Sequence, residues 1–194
     1  MSVEIWRPPK TASFNLNGAP VELIPLGPNH RALLSEAFTR LSERSRYYRF
    51  FSPVTSLSEH ELTQLTDLDM FDRFAWGLLV EGDAAAVGRY AKTSTDPTAA
   101  EVAVTVLDDY QGRGLGRFLV LALAVVAANA GFGTLEFEVL SDNRPMRSIL
   151  DELGAEVEMT DGIAHGRLAV ANVPSPPVDP DLLLDVVGAA RAVR

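Results

Sequence analysis

The chain has no cysteine. Disulfides, zinc–thiolate sites and thiol nucleophiles are therefore excluded. Its three histidines, His30, His60 and His165, stand apart and form no metal-ligand spacing, so no metal is expected. No apolar run is long enough to cross a bilayer. The strongest, residues 118–130, falls short of the roughly 20 residues that a spanning helix needs. Basic residues are outnumbered, 17 Lys and Arg against 26 Asp and Glu, for a formal net charge of −9. That balance argues against nucleic-acid partners and is compatible with cationic ones, such as amines or lysine-rich protein surfaces. With no signal peptide and no disulfides, the cytoplasm is the expected compartment and no membrane partner is expected. Two familiar phosphate loops are also missing. No glycine precedes a lysine, which excludes G-x-x-x-x-G-K-[ST]. G-x-G-x-x-G fails because the position it requires, counted from Gly112, is Arg117.

What is present is a strand that runs into a glycine turn and then a helix. Residues 101–106 alternate as a strand, Gly112, Gly114 and Gly116 crowd the turn, and an apolar helix is predicted over 115–130. This order leaves a row of backbone N–H groups free at a helix N-terminus, which is a ready anion site. Glycines let a phosphate approach the backbone closely, and Gln111 and Arg113 could add side-chain donors. A glycine turn without a ligand is the alternative.

Gln111, Gly114 and Gly116 fit the pattern [RQ]-x-x-G-x-[GA], which resembles the acyl-CoA pyrophosphate loop of the GNAT N-acetyltransferase superfamily. A second match lies downstream. Residues 134–140 read as a strand, and 141–154 as a helix with Asn143 as N-cap, Pro145 in its first turn and Gly154 at its end. In GNAT enzymes the two strands around the phosphate helix splay apart, and an Asn at this position commonly binds the CoA arm. The stretch 41–51, LSERSRYYRFF, narrows the likeness: it is similar to L-S-x-x-S-x-Y-x-R-F-F of Pat-type bacterial protein lysine acetyltransferases. The resemblance covers roughly residues 14 to 171.

It implies an α/β (α+β) GNAT fold, a mixed and largely antiparallel sheet with helices on both faces and an acyl-CoA cleft between splayed strands. The elements read from the sequence suit that order. They are a hairpin across Asn17-Gly18, a helix over 29–41, a capping box at Ser58-x-x-Glu61, a hairpin around Glu81-Gly82-Asp83 and a last hairpin across Asp161-Gly162. One domain is the simplest division at this length, with residues 1–13 as an arm, 14–173 as the acetyltransferase domain, and 174–194 as a Pro-rich linker and a C-terminal helix. That helix is expected to serve in surface packing or dimerisation rather than in covering the active site. Many Pat-type enzymes carry a regulatory domain before the catalytic one, and the residues before Phe14 are too few to fold into one.

The resemblance also implies the chemistry. Acetyl-CoA is the expected cosubstrate, bound by Gln111, Gly112, Arg113, Gly114, Leu115 and Gly116, with Asn143 on the arm and Arg147 near a phosphate. Backbone N–H groups at Val104 and Val106 would polarise the thioester carbonyl. Glu101 is the expected base, with His165 next in line. Tyr110 is expected to pack under the loop, and Asp108 and Asp109 to stay near the phosphates. Where many GNAT enzymes carry a Tyr that protonates the departing thiolate, this chain has Leu150. Water, Tyr47 or Tyr48 would have to replace it. The acceptor expected from the Pat-like segments is a protein lysine. A small-molecule amine, or a non-catalytic acyl-CoA sensor, remain the alternatives.

Overall fold

The computed structural model describes residues 8–192. The first part of the expected arm, residues 1–7, and the last two residues of the expected C-terminal helix lie outside it. Eight strands form one sheet: β1 (Ala12–Leu16), β2 (Ala19–Pro25), β3 (Arg73–Val80), β4 (Asp83–Lys92), β5 (Ala99–Val106), β6 (Thr134–Leu140), β7 (Glu156–Thr160) and β8 (Ile163–Ala169). Their spatial order is β1-β2-β3-β4-β5-β6-β8-β7. Every pairing is antiparallel except β5 with β6.

Three of the connections are two-residue turns with the same chemistry. Asn17-Gly18, Glu81-Gly82 and Asp161-Gly162 all have positive φ at both residues. This is the type I′ geometry whose twist matches the flanking strands, and it explains the X-Gly pairs. The β3–β4 turn is tighter than expected from the sequence, because Asp83 already pairs with Val80.

Six α-helices flank the sheet. On one face lie α1 (Arg31–Thr39), α2 (Glu43–Phe50) and α3 (Glu59–Thr66); the other face carries α4 (Leu115–Asn129), α5 (Arg144–Glu152) and α6 (Pro180–Ala192). β3 is buried along nearly its whole length because both its faces are covered. Phe74, Trp76 and Leu78 join the cluster under α4 and α6, whereas Ala75 and Leu79 join that under α1 and α3. The capping box at Ser58 and Glu61 forms as expected and opens α3. α4 lies close on the sheet: a Cβ at Gly88 would come within 3.2 Å of Leu119. α4 is apolar almost all round, and α6 accounts for that. Leu183, Val186 and Val187 of α6 are buried in the same cluster as Leu119, Val120 and Val126.

α2 has a different character. No residue of it is buried, and its sequence is polar. Side-chain bonds hold it instead. Ser42 donates to Asp108 through its backbone N–H (2.9 Å) and its hydroxyl (2.7 Å), and the Ser45 hydroxyl donates to the same carboxylate (2.9 Å). Arg46 donates to the carbonyls of Thr39 and Thr55 and stacks on Phe38. At the far end the Tyr48 hydroxyl donates to the Asp142 carbonyl at 3.1 Å. α2 thus ties the end of β5 to the end of β6.

Candidate functional site

β5 and β6 are in register only at Ala99–Thr134, Ala100–Leu135 and Glu101–Glu136. From Val102 onward β5 keeps its pairing with β4 and has lost β6, so the two strands open a gap whose vertex is Glu101. The Leu107 N–H donates to Ala85 on the β4 side (2.9 Å). Because direction alternates along a strand, the N–H groups of Val104 and Val106 point the other way, into the gap.

Beyond β5 the chain makes a short 3₁₀ turn, Asp108–Tyr110, and enters the glycine loop. Gly114 is the N-cap of α4 with φ +81°, a conformation that a side chain resists. Among the described residues, no backbone N–H from Gly112 to Arg117 has a hydrogen-bond acceptor; the first to find one is Phe118, which donates to the Gly114 carbonyl. Consecutive unspent donors at the start of a fifteen-residue helix make a fitting cradle for a phosphate. The space above Gly112 is open, with nothing within 4 Å of where a Cβ would stand.

The side chains of this loop differ from expectation. The Gln111 amide turns back, donating to the Val106 carbonyl (3.1 Å) and the Ser45 hydroxyl (3.2 Å), and so closes the open edge of β5 instead of adding phosphate donors. Arg113 donates to the Asp109 carbonyl and stacks on Tyr110, 5.0 Å from its ring centre. Leu115 is buried under the loop, and a Cβ at Gly116 would come 3.3 Å from Ile149 on α5. Tyr110 is half-buried and donates to Asp83 at 2.7 Å. Asp108 does not face the glycine loop but binds α2. Burial pushes its carboxyl up, and the bonds from Ser42 and Ser45 outweigh this and hold it below the ordinary value.

Across the gap, Asn143 caps α5 by accepting from the Met146 N–H (3.3 Å). Arg147 is half-buried and donates to the Ser141 carbonyl (3.1 Å), so it braces the β6–α5 turn. Leu150 is fully buried and packs against Gly166, where a Cβ would meet it at 3.0 Å. Of the two tyrosines on α2, Tyr47 is largely exposed. Tyr48 sits beside Asp142, one residue from Asn143, and its hydroxyl also accepts from Arg44.

Glu101 is exposed and lies on the α1–α3 face of the sheet, opposite the glycine loop. His165 shares that face, since Glu101 is registered with Glu136, and Glu138 with His165. It stands two strands away beside Glu138 at 3.7 Å and is not drawn into the gap.

Sequence reasoning missed two residues. Asn17, read only as a turn residue, donates to the Arg113 carbonyl at 3.0 Å and braces the glycine loop from the β1–β2 turn. Arg49, the arginine of the RFF stretch, reaches from α2 into the cavity on the Glu101 face. The signal for Arg49 was its place in the Pat-like segment; Asn17 had none, because its partner is remote in sequence.

The GNAT acetyltransferase family model matches residues 35–155. The chain is 38% identical over 150 residues to the acetyltransferase Pat of Mycolicibacterium smegmatis, covering 75% of this chain and 45% of that protein. Among solved structures, the GNAT domain of S. lividans Pat superposes with a TM-score of 0.77 at 27% identity, covering 82% of this chain and 96% of that one. A cAMP-binding acyltransferase from Mycobacterium smegmatis superposes with a TM-score of 0.66 at 32% identity, covering 95% and 54%. The chain therefore spans about half the length of these mycobacterial relatives. Among the described residues no helix is long and apolar enough to cross a membrane. With the splayed strands, the glycine loop at the head of α4 and these likenesses together, the chain belongs to the GNAT acetyltransferase family, whose members are acyl-transferring enzymes.

Proposed function

We propose that this protein is an acetyl-CoA-dependent N-acetyltransferase whose acceptors are protein lysine side chains. One observation carries the reading: a cradle of unspent N–H groups at Gly112–Arg117 and the carboxylate of Glu101 lie on opposite faces of the sheet, joined by the gap between β5 and β6. A cosubstrate held on one face can then meet an acceptor arriving from the other.

Each residue has a part in that reading. The N–H groups from Gly112 to Gly116 take the pyrophosphate of acetyl-CoA, Gln111 and Asn17 hold the loop in shape, and Asn143 and Arg147 fix the far wall of the gap. Acetyl-CoA supplies an activated thioester. A free lysine has a pKa near 10.4, so only about 0.1% is neutral near pH 7.4. Glu101 removes the ammonium proton, directly or through water, and the freed nitrogen attacks the thioester carbonyl carbon. The N–H groups of Val104 and Val106 receive the oxyanion that develops. As the carbon–sulfur bond breaks, the thiolate takes a proton. Leu150 cannot give it, and we assign that step to the Tyr48 hydroxyl, which regains its proton through water from the attacking nitrogen as the amide forms.

Charge supports a protein acceptor. Glu136, Glu138, Glu156 and Glu158 occupy the same sheet face as Glu101, accompanied there by Arg167 and His165. Glu138, Glu156 and Glu158 are exposed. An open acidic surface beside the base suits a lysine presented among other basic residues.

Transfer of radiolabelled acetyl groups from acetyl-CoA to whole-cell lysate proteins, run beside a panel of small amines, tests the acceptor. Label in protein bands, released as Nε-acetyl-lysine, is expected. Label confined to small amines would overturn the lysine assignment, and none in either arm would overturn the activity.

A further inference from the structure

Arg49 on α2 and Arg89 on β4 enter one cavity of about 90 Å³ beneath α1–α3. The rest of its wall is mainly apolar, with Leu26, Leu34, Phe38 and Leu57 among its residues. Neither guanidinium has a hydrogen bond or ion pair with any described residue. Arg49 keeps only the ring of Phe50, 5.0 Å from its Cζ.

The charges that face this pair leave it unbalanced. Arg73 is already engaged with Asp69 at 3.2 Å. Burial, then the charge of Arg89, pulls Arg49 down to about 10, with Glu101 opposing. Burial also lowers Arg89, with Glu101 opposing and Arg73 adding to the shift. Both remain cationic at neutral pH. Among the described residues Glu101 is thus the one carboxylate acting on both, too far for an ion pair, and it cannot neutralise two cations. Half-buried unpaired cations are costly. Each guanidinium offers five donors in a planar fork that fits a carboxylate in a two-bond geometry.

We propose that Arg49 and Arg89 form a carboxylate subsite, which selects amine acceptors carrying a carboxylate close to the reacting nitrogen. This rests on the amine-acetylation reading above and adds to it. Arg89 is registered with Ala103, two residues along β5 from Glu101, and the two side chains share a sheet face. An acceptor amine at Glu101 therefore holds its neighbouring groups within the reach of Arg89. For a protein, the form that fits is an acidic residue next to the acceptor lysine. For a free amino acid, it is the α-carboxylate.

The test uses two short blocked peptides that differ only in an Asp or a Gly beside one lysine, with a matched pair of small amines with and without a carboxylate. Turnover with acetyl-CoA, and calorimetric binding of the same compounds to the CoA-loaded protein, are measured on the wild type, Arg89→Met and Arg89→Lys. The wild type is expected to favour the acidic member of a pair by about tenfold in kcat/KM, mostly through KM, and similarly in affinity. Arg89→Met should bring that ratio close to one, and Arg89→Lys should restore part of it. Calorimetry reads the preference even where turnover is absent, so failure of the activity and failure of the subsite are separable. A preference confined to the small amines upholds the subsite and removes the lysine assignment. Equal handling of acidic and neutral acceptors by the wild type, or a preference that survives Arg89→Met, overturns the proposal. So does a wild-type preference for succinyl-CoA over acetyl-CoA that is lost in Arg89→Met, because the carboxylate would then arrive on the acyl group.

Discussion

The two halves of one sheet face, divided at Glu101, are opposite in kind. Toward β4 the face is roofed by α1–α3, and the cavity there holds the half-buried cations Arg49 and Arg89. Toward β6, β8 and β7 it carries Glu136, Glu138, Glu156 and Glu158, and β7 is exposed along its length. The contrast follows from burial. Charges on the open side are screened and cost little, so four carboxylates can stand there with only Arg167 and His165 between them. Charges on the roofed side are poorly screened and need partners. Glu101, last in register with β6, belongs to both halves and is the residue on which their fields meet. In the function proposed here, the open half draws a cationic acceptor, and the roofed half reads what lies beside the reacting nitrogen.

The strongest way to break this division is to remove its centre. Glu101→Gln keeps the size and hydrogen bonding of the side chain without its basicity, and general-base assistance is worth about 10²–10⁴ in rate. We expect kcat to fall by that range, with CoA affinity nearly intact and a residual rate that climbs with pH. A wild-type rate and pH profile would make Glu101 a structural strand residue.

The next effect lies on the opposite face, where neither half should matter. Gly114→Val forces a β-branched side chain to φ +81° and puts a Cβ 3.2 Å from the Asn17 amide. CoA binding by calorimetry should weaken by more than tenfold in a folded protein. Unchanged affinity would remove the pyrophosphate from this loop.

Charge reversal of the open half is milder. Glu138→Lys with Glu158→Lys should raise KM for a lysine-rich peptide severalfold at low salt, leave a small neutral amine nearly unaffected, and lose its effect as salt screens the surface. An equal effect on both acceptors would point to a folding defect and not to recognition.

The smallest effect concerns the tether of α2. Asp108 has a carboxyl lowered by Ser42 and Ser45, and Asp83 one lowered chiefly by Arg40, at 2.7 Å, with burial opposing and Tyr110 assisting. A carboxyl whose folded pKa lies below its unfolded one adds stability that is present above the unfolded value, about 3.9 for Asp. It is lost as pH falls through the folded value. Thermal melts should therefore lose stability below about pH 4, and Asp108→Asn should flatten part of that loss. An unaltered acid limb would show that α2 is held by other contacts.

Much of this was legible in the sequence because the signals were local. The Asn17-Gly18 and Asp161-Gly162 turns, the Ser58 capping box and the Asn143 cap each depend on residues a few positions apart. The order of strand, glycine turn and apolar helix around 101–130 did the same for the glycine loop at the head of α4. α2 escaped because it buries no residue and has no apolar stripe; its bonds run to Asp108 and Asp142, far along the chain. The first helix was read as 29–41, yet residues 28–30 form a 3₁₀ turn and α1 stops at Thr39, and propensity alone does not mark such ends.

By itself, then, the amino-acid sequence determined most of the strands and helices, the type I′ turns, and a glycine-rich helix start, because each rests on the conformational limits of neighbouring residues. Only the tertiary structure decided what those elements face. It covered the outer side of α4 with α6, turned the Gln111 amide onto Val106 and Ser45, stopped the β5–β6 ladder at Glu101, and brought Arg49 and Arg89 into one cavity. Those outcomes depend on long-range packing and on hydrogen bonds between residues tens of positions apart, which no local pattern encodes.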